Sequence, residues 1–119
     1  MTADPRSTVE TYFTSWRQRD FETLRSTLAD TGSFRGPLGG SDDADEYLSA
    51  MRGTAAIMTD IVVHHVFVQD SEVLTWFTLH TTVAAPVETA SRMKISGGRI
   101  TEVNAIFDPR GLLAAIPPT

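Results

Sequence analysis

The chain has 119 residues, 41% of them apolar and 21% charged, with ten Lys+Arg against fifteen Asp+Glu and a net charge of −5. That length reads as a single domain over 1–119, able to bury one core without staples. The acidic balance excludes nucleic acid and an anionic membrane surface as expected partners, since both need clustered Lys or Arg.

Zero Cys removes disulfides, thiolate metal ligands and thiol catalysis. No apolar run approaches the about 20 residues of a membrane-spanning helix. Met1-Thr-Ala-Asp-Pro-Arg lacks the basic and apolar regions of a secretion signal, so a cytoplasmic protein is expected.

The first half reads as helical. Ser7 and Glu10 form a Ser-x-x-Glu capping box, followed by an apolar stripe of Val9, Tyr12, Phe13 and Trp16 at i, i+3, i+4, i+7. Asp20 caps a short second helix bearing Phe21, Leu24 and Leu28. Phe34 lies in a short extended piece, and Gly36-Pro37-Leu38-Gly39-Gly40 is a turn. Ser41 is expected to cap a third helix, with Asp42, Asp43, Asp45 and Glu46 at its positive end. Its buried face carries Ala44, Tyr47, Leu48 and Met51, and Gly53 is its expected stop.

From about residue 59 the period falls to 2. Residues 60–69, 72–83, 87–96 and 99–107 read as four strands. Asp70-Ser71 and Gly97-Gly98 are tight turns, and Ala84-Ala85-Pro86 breaks the second connection. Asp108-Pro109 caps a last short helix through Leu113, which Pro117-Pro118 ends. The expected class is α+β, with the order α-α-β-α-β-β-β-β before that last helix: a curved antiparallel sheet wrapped around three N-terminal helices.

Three groups of residues carry a resemblance that spans nearly the whole chain. They are Val9–Trp16 with Arg19–Leu24, Leu28–Asp30 with Phe34–Gly39, and Gly97–Val103 with Phe107-Asp108-Pro109. In this order the chain resembles the nuclear-transport-factor-2-like superfamily, and within it the SnoaL-like and ketosteroid-isomerase-like proteins. The resemblance implies a cone with one deep apolar pocket for a small apolar molecule, and a homodimer formed through the outer sheet face. No cofactor is expected, and no metal, since no third ligand accompanies His65 and His80. One scaffold hosts many chemistries, so it leaves the reaction open.

By that resemblance Tyr12 falls where the isomerases place a tyrosine that donates to a developing enolate oxygen. On the helix stripe it reads equally as a core tyrosine. The isomerase general base, an Asp just before Pro-x-Gly, is replaced by Gly36, and Ser91 stands near the place of the second carboxyl donor. His65 and His80 are candidate acid–base groups, or else polar residues at a rim or interface. Strict alternation puts His64 and His65 on opposite faces, so the two cannot ligate one ion. Alignment to the family points His65, His80, Trp76 and Thr78 inward.

The expected catalytic residues are thus Tyr12, His65 and His80. The expected pocket lining is Trp16, Met51, Val63, Phe67, Trp76, Thr78, Ser91, Met93, Val103 and Phe107. The leading expectation is acid–base, enolate-type chemistry on an apolar ring-containing metabolite such as a polyketide. Two others stay open: a non-catalytic ligand-binding or dimerisation module, and an epoxide hydrolase of the limonene-epoxide-hydrolase type. The last needs an inward carboxylate–Arg–carboxylate set, and Arg92 alternates outward with Lys94.

Overall fold

A computed structural model describes residues 4–115. Along the chain run α1 (Pro5–Arg17), α2 (Phe21–Ser26), β1 (Leu28–Gly36), β2 (Gly39–Asp43), α3 (Ala44–Ala55), β3 (Met58–Gln69), β4 (Glu72–Thr81), β5 (Val87–Ser96), β6 (Arg99–Ile106) and α4 (Arg110–Ala115). The class is α+β, as expected.

Local chemistry sets the helix ends. Helix α1 begins at Asp4, three residues before the expected Ser7, and Asp4 accepts from the Arg6 amide. Pro5 occupies the first turn, where its fixed φ is helical and its missing N–H costs nothing. Helix α3 is capped by Asp43, which accepts from the amides of Asp45 and Glu46, and not by Ser41. Residues 39–43 are drawn into strand β2, so the helix starts later. Gly53 does not stop α3, which continues to Ala55. Asp108 does accept from the Arg110 amide at the start of α4. The expected stop at Pro117-Pro118 lies outside the described residues.

The six strands form one sheet in the order β2-β1-β6-β5-β4-β3. The meander β3–β6 is antiparallel, as is the β1–β2 hairpin. The β1–β6 pair is parallel, which corrects the all-antiparallel expectation. The chain leaves β1 through β2 and α3 and returns only after three further strands, so β6 meets β1 running the same way. The sequence pattern gives turn and helix cap where strand β2 lies. It is short, glycine-rich and polar, and carries no period-2 signal.

The helices lie on the concave face. Val9, Tyr12, Phe13 and Trp16 of α1 and Leu48, Met51 and Ala55 of α3 are buried against Phe34, Val73, Phe77, Met93 and Val103 of the sheet. The helical stripe read from the sequence is the one that packs.

A β-bulge in β3 changes which side chains face the helices. Val63 pairs with Phe77, but the next register pair is His65 with Trp76, leaving His64 as the extra residue. Two residues then oppose one, and the alternation slips by one beyond that point. As a result His64 and His65 both lie on the outer face.

Candidate functional site

Between the helices and the sheet lies a cavity of about 420 Å³, within the range typical of small-molecule sites. Its walls are apolar: Phe13, Trp16, Phe34, Met51, Phe77, Leu79, Met93, Val103, Phe107 and Leu112 all line it. The mouth is bounded by Arg35, Gly36, Leu38, Gly39, Gly40, Ser41 and Glu46, where the β1–β2 hairpin meets the start of α3.

Two phenols meet in this cavity. The hydroxyls of Tyr12 and Tyr47 lie 2.6 Å apart. Helix geometry brings them together. Tyr12 and Trp16 are one turn apart on α1, and Tyr47 and Met51 one turn apart on α3. The Trp16 indole N–H donates to the Met51 carbonyl at 3.2 Å, so the same facing turns are tied at two levels. The Tyr47 ring stacks on Phe34 with centroids 4.7 Å apart and planes 6° apart. Tyr12 makes an edge contact with Phe13 at 5.0 Å.

Burial raises the pKa of Tyr12 well above the ordinary phenol value, and the neighbouring Tyr47 raises it further. Burial pushes Tyr47 up to about 12, against a smaller lowering from its bond to Tyr12. Tyr47 keeps some accessible surface along the cavity, but its hydroxyl is enclosed. Both phenols therefore remain protonated at neutral pH. One donates to the other, and one O–H is left to donate to a ligand oxygen.

The sheet contributes two more hydroxyls to the lining, Thr89 and Ser91. Thr89 Oγ1 reaches the Val87 carbonyl at 3.4 Å, a long bond. Ser91 Oγ, and Thr75 Oγ1 directly across from it, are buried with no hydrogen-bond partner among the described residues. Leaving a buried hydroxyl unpaired costs on the order of 1–3 kcal/mol, so Ser91, which lines the cavity, fits a ligand group better than an empty interior.

The lining's titratable side chains are Tyr12, Tyr47, Arg35 and Glu46 among the described residues. Arg35 is paired with Asp42 at 2.5 Å on the surface. Glu46 is the one carboxylate on the lining and sits exposed at the mouth. At Gly36 a Cβ would meet nothing nearer than the Ala105 Cβ at 3.6 Å, so no side chain projects there.

Of the residues expected in the pocket, Tyr12, Trp16, Met51, Ser91, Met93, Val103 and Phe107 line it. His65, His80, Val63, Phe67, Trp76 and Thr78 do not. Strand β4 turns Val73, Thr75, Phe77 and Leu79 inward and Leu74 and Trp76 outward, the reverse of the expected orientation. His80 and Thr78 share the outer side with Trp76. Val63 borders a separate groove with Val9 and Phe13. Phe67, beyond the bulge, is 62% exposed. Tyr47, Glu46, Thr89 and Phe34 are lining residues that the sequence reading did not single out. Tyr47 had one usable signal: it shares a helix face with Met51, four residues on.

The outer face has its own network. Glu88 accepts from the Trp76 indole N–H at 2.7 Å and from the Thr78 hydroxyl at 2.5 Å. The Thr78 proton is thus committed to Glu88, so His64 Nε2, 2.6 Å from Thr78 Oγ1, is the donor in that contact. The Thr78 and Trp76 bonds hold Glu88 below the usual carboxylate range, with smaller help from His64 and His80. His65 stacks on Trp76 with centroids 5.5 Å apart. Arg92 sits between Glu72 and Glu102 on this same face. Among the described residues no group of three or more His, Asp or Glu is arranged to hold a metal ion, and no helix is long and apolar enough to cross a membrane.

Comparison with known proteins places this geometry. A protein from Kribbella flavida superposes with a TM-score of 0.85 at 26% identity, covering 91% of this chain and 89% of that one. A nuclear-transport-factor-2-like protein of unknown function from Cytophaga hutchinsonii gives 0.85 at 20% identity, over 95% and 97%. An LEH-like epoxide hydrolase of M. tuberculosis gives 0.78 at 20% identity, over 96% and 92%. No curated protein is a significant match in sequence. The model of the SnoaL-like domain matches residues 9–103. The chain therefore belongs to the SnoaL-like family and has its nuclear-transport-factor-2-like fold.

Proposed function

We propose that the protein takes up a small, apolar, ring-containing molecule such as a polyketide and polarises one of its carbonyl oxygens with the Tyr12–Tyr47 pair. The observation that carries this is the bonded phenol pair inside a largely apolar cavity. A neutral phenol donates strongly to an oxygen that gains negative charge, and its raised pKa keeps the proton on it. The chemistry supported is enolate-type: the tyrosines stabilise the developing oxyanion, and Glu46 at the mouth accepts the α-proton. His65 and His80 have no part in it, because they lie on the other side of the sheet. The Glu72–Arg92–Glu102 cluster faces outward and lines no part of the cavity, so it does not supply the inward carboxylate–Arg–carboxylate set that an epoxide hydrolase would need.

The test uses 2-tetralone, a bicyclic ketone with acidic α-protons. Binding is followed by calorimetry, and α-proton exchange into D2O by NMR. Binding with exchange well above buffer, lost in Tyr12→Phe and in Glu46→Gln, supports the reading. Gly36 at the position of the isomerase base favours a second reading, a ligand-binding module without turnover. Tight binding with exchange at the buffer rate would select it.

The outer face supports a homodimer. Phe67, Leu74, Trp76 and Ile106 are 62%, 49%, 46% and 73% exposed. Trp76, Ala90 and Ile106 are register neighbours across β4, β5 and β6, so they form one apolar patch. Patches of this kind mark interaction surfaces, and a second copy offers a matching one. Sedimentation equilibrium tests this proposal.

A further inference from the structure

One row of the concave sheet face is made of small side chains. Thr75, Ser91 and Ala105 are register neighbours across β4, β5 and β6, and Gly36 of β1 lies beside Ala105. The row next to it is large: Phe34, Val103, Met93 and Val73. On the other side Phe77 stands opposite Thr89. A trough therefore crosses the sheet beneath the helices. Its outer end opens at Gly36, next to Leu38 and Gly40 of the mouth.

Its inner end stops at two hydroxyls. Ser91 Oγ and Thr75 Oγ1 face one another across the β4–β5 pair, both buried, neither with a hydrogen-bond partner among the described residues. Ser91 lines the cavity. The tyrosine pair does not satisfy it, since no bond joins them. Buried hydroxyls are rarely left unpaired in proteins, and here the unpaired ones close off the apolar trough.

We infer that the ligand carries two oxygens: a flat, elongated ring system with a carbonyl at the Tyr12–Tyr47 pair and a second polar group, a hydroxyl or carbonyl, seated against Ser91 with Thr75 behind it. This rests on the pocket reading above and adds to it the substrate class and a specificity-determining residue. A serine hydroxyl both donates and accepts, so either oxygen type is matched. A ligand with one oxygen leaves the inner end of the trough unpaired.

The test compares 2-tetralone with 6-hydroxy- and 7-hydroxy-2-tetralone, which place the second oxygen at two positions on the far ring. Dissociation constants are measured for the wild type and for Ser91→Ala. In the wild type the better hydroxy isomer binds about tenfold more tightly than 2-tetralone, the ratio expected of one well-made hydrogen bond. In Ser91→Ala that gain falls below about threefold, while 2-tetralone affinity, which reports an intact cavity, stays within about twofold. Binding of 2-tetralone with no gain for either isomer overturns the inference and leaves the pocket reading standing. So does a gain that survives Ser91→Ala, or an equal loss for all three ketones in that variant. Failure of every ketone to bind overturns the pocket reading and this inference together.

Discussion

The hydroxyls of Tyr12 and Tyr47, 35 residues apart in sequence, share a hydrogen bond of 2.6 Å inside the cavity. Each is the other's polar partner among apolar neighbours. Removing one hydroxyl leaves the other unpaired. Tyr12→Phe and Tyr47→Phe are each expected to lower stability by about 1 kcal/mol. The double variant is expected to lose less than the sum, because no orphan remains. Denaturant unfolding of the three variants checks this. Additive losses would mean that the phenols are not coupled.

The chain has two tyrosines, so a spectrophotometric titration of tyrosinate reads this pair alone. Both folded pKa values are raised, Tyr47 to about 12 and Tyr12 well above the ordinary phenol value. A free phenol titrates near 10. Raised acid pKa values mean that the neutral forms are favoured in the folded state. The stability this contributes is fully present below about pH 10 and is lost as pH rises from there through the folded values. At pH 10 the native protein should show almost no tyrosinate absorbance, and the unfolded chain about half of the maximum. Half-ionisation of the native protein near pH 10 would show that the phenols are solvated.

Thr75→Val and Ser91→Ala remove hydroxyls that bond to nothing among the described residues. Thr75→Val preserves shape. Both unliganded variants are expected to be as stable as the wild type or more so, by up to about 1 kcal/mol, as read from thermal or denaturant unfolding. A loss of 2 kcal/mol or more would mean that these hydroxyls have partners in solution.

The architecture was legible in the sequence because its periods are strong. The Val9/Tyr12/Phe13/Trp16 stripe is the buried face of α1, and β3 to β6 lie close to the expected spans. What failed was the choice of face. Strand β4 is apolar on both sides, with Val73, Phe77 and Leu79 on one and Leu74 and Trp76 on the other, so period 2 cannot say which side packs. In β3 the His64 bulge resets the alternation, and no residue type announces it. Tyr12 could be proposed for the cavity from its helix stripe and family position. Its partner Tyr47 depends on how two helices cross, which a linear pattern does not carry. Ser91 was expected in the lining, but its neighbour Thr75 was visible only once strand register put the two opposite each other.

Gly36 is the place to add a second carboxylate to the lining, beside Glu46. Its backbone is not among the positive-φ positions, and the nearest atom to an added Cβ is ordinary contact at 3.6 Å. Gly36→Asp would put a carboxylate at the mouth end of the trough. If the tyrosine pair polarises the ketone, this variant should raise α-proton exchange of 2-tetralone at least tenfold, in the range general bases supply, and Tyr12→Phe should cancel the gain. An inert Gly36→Asp variant that still binds the ketone would argue against polarisation.

Outer-face charge should separate assembly from binding. Phe67→Glu and Trp76→Arg alter an exposed patch that does not touch the cavity. Both are expected to shift the protein from dimer to monomer in sedimentation equilibrium, while 2-tetralone affinity stays within about twofold. A wild type that is monomeric at high concentration would contradict the dimer proposal.

The most direct measurement of the central claim is the infrared carbonyl stretch of 13C=O-labelled 2-tetralone bound to the protein. A carbonyl that accepts from the Tyr12–Tyr47 pair should absorb at lower frequency than the ketone in an apolar solvent, and return towards that value in Tyr12→Phe. A bound carbonyl whose frequency already equals that in hydrocarbon would mean that the phenols do not reach it, and would contradict the account.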